Sequence, residues 1–169
     1  QFKGSLTPSL VRRGIWLAFL FWLCGYSQIV SAATDISQPI TADTTWSQAG
    51  SPYVVLSPIT VSTGVTLTIQ EGVVVKFEDT QGLTVLGSLQ VQGQTDLPVT
   101  FTSVHDDSVA GDTNQNGTST QPGGEYYRWS GVTFSAGSTG DISHSKFNFA
   151  GYQRTGVTPK PAVYNQGGT

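Results

Sequence analysis

The sequence predicts an all-β chain of short strands stacked in parallel, a β-helix or solenoid, and three observations carry that expectation. The first is a 16-residue beat. Ile59, Val75 and Val91 fall 16 residues apart, as do Leu67, Leu83 and Val99, and Ile69, Val85 and Phe101. Val73 and Leu89 keep the same step, and every one of these positions is apolar. The second is alternation within each period, as in Leu67-Thr68-Ile69, Leu83-Thr84-Val85 and Val99-Thr100-Phe101. A two-residue period marks a strand with one buried face. The third is the length of the repeat, too long for a heptad and too short for a βαβ unit. A fixed period in the tens of residues signals stacked repeats. On this reading the Thr68, Thr84 and Thr100 side chains form one outward column.

The elements follow in chain order. Lys3, Arg12 and Arg13 precede an apolar stretch over 15–24, and Val30-Ser31-Ala32-Ala33 supplies small residues for cleavage after Ala32 or Ala33. That is the pattern of a signal peptide over 1–32. The apolar stretch is about half of the ~20 residues needed to span a bilayer, so no membrane insertion of the mature chain is expected. The chain is therefore expected to be secreted or displayed on the cell surface. Cys24, the only cysteine, leaves with the leader, so the mature chain has no disulfide and relies on its core. Cleavage also removes three of eight basic residues, leaving 5 − 11 = −6. An acidic balance argues against nucleic acid as a partner.

Residues 33–57 lack the beat. Ile36, Ile40, Trp46, Tyr53, Val55 and Leu56 are scattered among polar residues and prolines. They are expected to form an N-terminal cap, with Trp46 as a plug on the first turn. Regular turns then run through 58–103. Strands are expected at 59–61, 73–77 and 89–92, alternating with 67–69, 83–85 and 99–101. Gly72, Gly87, Gly93 and Pro98 fall in the connections, where turn chemistry belongs. Residues 104–130 break the pattern with a long loop rich in Asp, Asn, Gly and Thr. The alternation resumes at Val132-Thr133-Phe134. Further strands are expected at 141–144, 147–149 and 162–165. The repeats thus occupy 58–169. With no methionine at position 1 and no closing element at the far end, the chain is read as a piece of a longer open reading frame.

The stretch from "GVTLTIQEGVVVKF" through "GLTVLGSLQVQG" to "VTFTS", followed by an Asp-rich loop leading to a Trp, resembles the opening turns of secreted bacterial proteins of the pectin-lyase-like superfamily. The resemblance covers roughly residues 35–152. It implies a right-handed parallel β-helix with an N-terminal cap and one long inserted loop. It does not fix an activity, because the superfamily holds polysaccharide lyases and hydrolases beside adhesins without known activity. Its enzymes stack acidic and basic residues on one outward column. The outward positions here are Thr68, Thr84, Thr100, Gln90, Gln92 and Lys76. They offer no acid pair for general acid–base cleavage of a sugar polymer.

The loop holds the candidate sites. Asp112, Asn114 and Asn116 sit at alternate positions, with Gly117 at the sixth, as in the first half of a D-x-[DN]-x-[DN]-G Ca²⁺ loop. Thr118 offers a further oxygen, and Asp106, Asp107 or Glu125 would complete the shell. The twelfth position is Gly123, so the bidentate Glu of that motif is missing. A solvated loop in which Asp and Asn bond their own backbone fits the same residues. A bound Ca²⁺ would be structural. Tyr126, Tyr127, Arg128 and Trp129 form an aromatic cluster that would stack a sugar or pin the loop's end to the repeats. His105 and His144 stand alone, and His105 has Asp106 and Asp107 beside it.

The expected function is a monomeric, non-enzymatic extracellular scaffold or adhesin, with an extracellular polysaccharide or cell-surface ligand as partner. The alternatives are the N-terminal part of a polysaccharide lyase or glycoside hydrolase whose catalytic turns lie beyond residue 169, and a carbohydrate-binding module using the aromatic loop.

Overall fold

The computed structural model describes residues 32–123, 127–151 and 160–169. The expected leader lies outside them except for its last residue, as do Glu125 and Tyr126. The described chain is all-β, with three sheets in which every pairing is parallel.

Sheet A stacks β1 (Thr34–Ile36), β3 (Tyr53–Val55), β6 (Val74–Phe77), β9 (Val99–Ser103) and β12 (Ser145–Phe147). Sheet B stacks β4 (Ile59–Val61), β7 (Gly82–Val85), β10 (Gly131–Phe134) and β13 (Val163–Asn165). Sheet C stacks β2 (Thr44–Trp46), β5 (Thr66–Gln70), β8 (Ser88–Gln92) and β11 (Thr139–Ser143). From β4 onward the chain visits B, C and A in strict rotation. Parallel neighbours need a long crossover. Here each crossover consists of the two strands that belong to the other sheets. The architecture is compatible with a parallel β-helix.

The strands lie close to their expected positions, but their stacking differs. Ile59, Val75 and Val91 sit in sheets B, A and C, not on top of one another. The residue paired with Ile59 is Leu83, 24 positions on, and the residue paired with Leu67 is Leu89. The inward residues Ile59, Leu67, Val75, Leu83, Val91 and Val99 recur every eight residues, and three such steps close one turn. The 16-residue beat is two of those steps, and it carries each side chain to a different sheet. The Thr68, Thr84 and Thr100 column therefore does not exist, since the three lie in sheets C, B and A. The outward hydroxyl ladder in sheet B is Thr60–Thr84–Thr133.

Residues 33–57, expected as an N-terminal cap, supply strands to the sheets. β1 and β3 pair in sheet A, β2 joins sheet C, and Ile40 bridges to Val61 beside sheet B. Trp46 is buried and stacks on Tyr53, ring centroids 4.8 Å apart.

The core is the ladder of inward side chains. Leu67 packs in register with Leu89, Ile69 with Val91, and Val75 with Phe101, all buried. Each such aliphatic residue contributes about 1.5–3 kcal/mol of burial. Strands β5 and β8 alternate buried residues with half-buried or exposed ones, as a one-faced strand should. β9 does not: all five of its residues are buried. Its outer face is covered, and the cover is the loop.

Candidate functional site

The segment between β9 and β10 folds back over the outer face of sheet A. The outward column there runs Val54–Lys76–Thr102. All three are buried, although the strand alternation alone would place them in solvent. Lys76 donates from Nζ to the carbonyl oxygens of Asp106 at 3.0 Å and Gly111 at 2.6 Å. Burial holds its pKa below the ordinary 10.5, against the pull of the nearby Asp106, Asp107 and Asp112 charges. The ammonium ion is thus the loop's internal cation, bonding backbone carbonyls 30 and 35 residues along the chain.

Thr102 adds a second tether, its hydroxyl donating to Asp106 Oδ2 at 2.6 Å. The other carboxylate oxygen of Asp106 accepts from the Ser108 amide at 3.2 Å and its hydroxyl at 2.5 Å. Asp106 is therefore engaged within the loop. Asp112 caps the next turn, accepting from the amides of Asn116 at 3.2 Å and Gly117 at 2.8 Å. Gly117 takes φ +62°, a left-handed conformation that costs a residue with a Cβ about 1–2 kcal/mol.

A third group of contacts centres on His105. Its Nδ1 lies 2.5 Å from Thr120 Oγ1 and 3.2 Å from Asn114 Nδ2, and its Nε2 lies 3.4 Å from Asp79 Oδ1. With the Asn114 NH₂ donating, Nδ1 is the acceptor in the tautomer that carries its proton on Nε2, facing Asp79. Asn116 Nδ2 donates to Thr120 Oγ1 at 2.7 Å, which directs the Thr120 hydroxyl to His105. The Tyr127 ring lies tilted against the imidazole, centroids 4.4 Å apart. The hydroxyl–imidazole–carboxylate order has the form of an acid–base relay. Its imidazole acceptor is shared with an amide donor, however, and the arrangement ties the loop to the turn after β6. Neither Asp79 nor Thr120 carried a signal in the sequence, because they meet His105 from 26 residues before it and 15 after it.

The aromatic cluster divides. Trp129 is fully buried, its ring stacked on Phe77 with centroids 4.2 Å apart and planes 6° from parallel. Phe101 and Phe147 flank it at 6.3 Å, and its indole N–H donates to the Asn148 carbonyl at 2.8 Å. With both faces inside the core, Trp129 has no face to offer a sugar. Arg128 is half-buried and donates to the Ala150 carbonyl at 3.4 Å. Tyr127 lies beside His105, and Tyr126 is outside the described residues. The loop's end is anchored to the turn after β6, where Thr80 donates to the Arg128 carbonyl and Ser130 to the Gln81 carbonyl, at 2.9 and 2.7 Å.

Thr118 is exposed and Asp107 half-buried. Among the described residues no three His, Cys, Asp or Glu side chains converge as a metal shell, so a cation here would draw mainly on amide and hydroxyl oxygens. No family model matches the chain, and no match was found among curated proteins or solved structures.

Proposed function

We propose that the chain is an exported, right-handed parallel β-helix of the pectin-lyase-like type, serving outside the cell as a stiff scaffold with adhesive faces. The observation that carries this reading is the chemistry of the outward columns. Sheet B presents Thr60, Thr84 and Thr133, and sheet C presents Thr66, Ser88 and Thr139 beside Gln70, Gln92 and Ser143. These are hydroxyl and amide ladders, repeating at about 4.8 Å from strand to strand, and the central column of sheet C, Thr45–Thr68–Gln90–Asp141, ends in a carboxylate. They suit contact with a polar extracellular surface or polysaccharide. Lys76, the cation on the covered face, is engaged in holding the loop. Parallel pairing along three sheets also makes the particle resist bending, as a spacer requires.

The test is to incubate the purified chain, freed of its leader, with polygalacturonate and a panel of cell-wall polysaccharides. Co-sedimentation reads binding, and release of unsaturated uronides or reducing ends reads cleavage. The scaffold reading expects retention on at least one polymer with no released product. Sustained product release that tracks the purified protein overturns it in favour of a polysaccharide-degrading enzyme.

A further inference from the structure

The loop contains a set of buried side-chain oxygens that nothing in the protein satisfies. Asp107 Oδ1, Thr113 Oγ1, Asn114 Oδ1 and Asn116 Oδ1 are all shielded from solvent, and none has a hydrogen-bond partner. They account for four of the seven such atoms among the described residues, within ten consecutive positions. A buried, unpaired polar atom costs about 1–3 kcal/mol, so four in one short loop need a common explanation.

The amide orientations sharpen it. The NH₂ group of Asn114 is used by His105 Nδ1, and that of Asn116 by Thr120 Oγ1. Each amide oxygen therefore faces away from those partners. The backbone adds to this. Asp112 gathers the amides of Asn116 and Gly117 into a tight turn, so the alternate side chains 112, 114 and 116 come from one compact bend. A single cation coordinated by several oxygens would satisfy them together. Lys76 is already committed to the carbonyls of Asp106 and Gly111.

We propose that this loop binds Ca²⁺ through the side-chain oxygens of Asp107, Thr113, Asn114 and Asn116. The ligand set differs from the one that the spacing alone suggests. Asp106 is consumed by Thr102 and Ser108, Thr118 is exposed, and Asp112 shapes the turn. Neutral amide and hydroxyl oxygens with one carboxylate suit a hard cation of flexible coordination, and Ca²⁺ takes six to eight oxygens without strict geometry. Mg²⁺ demands an octahedron and sheds water reluctantly. With so little ligand charge, and the Lys76 ammonium ion bonded to the same loop, the affinity belongs to the weak range of extracellular modules, about 10⁻⁴–10⁻³ M. The ion would order the loop internally, while Lys76 ties it to sheet A.

The test is a Ca²⁺ titration of the metal-stripped chain, read by calorimetry and by thermal melting, with Mg²⁺ at matched ionic strength as the control. Saturation in the range above is expected, and Ca²⁺ at ten times the dissociation constant should raise the folding equilibrium constant about 11-fold. Asn116→Asp adds ligand charge at an existing oxygen and should tighten Ca²⁺ binding roughly tenfold, a gain that misfolding cannot imitate. Absence of a Ca²⁺ response up to about 10 mM, or an equal response to Mg²⁺ that Asn116→Asp leaves unchanged, would overturn the site and assign the orphan oxygens to water.

Discussion

Replacing Trp129 with alanine tests the claim that the loop's aromatic end belongs to the core. A buried tryptophan removes about 150–250 Å² from water, worth about 4–6 kcal/mol at ~25 cal/mol per Å². Alanine keeps part of that, and large aromatic-to-alanine changes in cores cost about 3–5 kcal/mol. The geometry supports the upper half of the range. The ring stacks on Phe77 at 4.2 Å, touches Phe101 and Phe147, and loses an indole bond to Asn148. A domain of this size is stable by about 5–15 kcal/mol in total, so the variant should unfold at much lower denaturant. Urea titration followed by far-UV circular dichroism reads the change. Trp129→Phe is the control, since it keeps a stacked ring and should lose about 1–2 kcal/mol. A loss below about 1 kcal/mol for Trp129→Ala would refute the reasoning, because truncating an exposed platform residue costs no more than that.

Further outcomes follow from the covered face, from the open face of sheet B and from the turns. Replacing Lys76 with methionine should change how stability depends on pH. Burial lowers the lysine pKa in the folded state, so between that value and 10.5 the unfolded chain binds more protons. Wild-type stability must therefore rise with pH through that window relative to Lys76→Met, and parallel curves in urea titrations across the window would contradict the burial. Thr84→Val on the open face of sheet B should stay within about 0.5 kcal/mol of wild type. Thr102→Val, which strips Asp106 of a buried donor, should cost about 1–3 kcal/mol in the same melts. Gly87→Ala would push a methyl group into the carbonyl oxygens of Ser62 and Val65 and should cost about 1–3 kcal/mol. Gly64, which has open space around it, should show only the left-handed backbone penalty of about 1–2 kcal/mol.

Much of the architecture was legible in the residues because strand alternation is a local property. Leu67-Thr68-Ile69 shows its buried and outward positions without knowing its neighbours, and the strands expected at 59–61, 67–69, 83–85 and 99–101 lie within β4, β5, β7 and β9. The same local chemistry marked 104–130 as loop. How many strands make a turn was not legible. Steps of eight residues produce the same apolar beat whether the chain returns after two strands or three. Only the pairing of Ile59 with Leu83 and of Leu67 with Leu89 decides for three. Lys76 shows the limit most plainly. Its outward position follows from Val75 and Phe77 on either side, but its burial depends on carbonyls 30 and 35 residues away. The orphan oxygens of Asn114 and Asn116 likewise follow from where His105 and Thr120 meet them. A strand's facing is settled by its own two-residue period, whereas burial of an outward side chain is settled by what the rest of the chain lays over it.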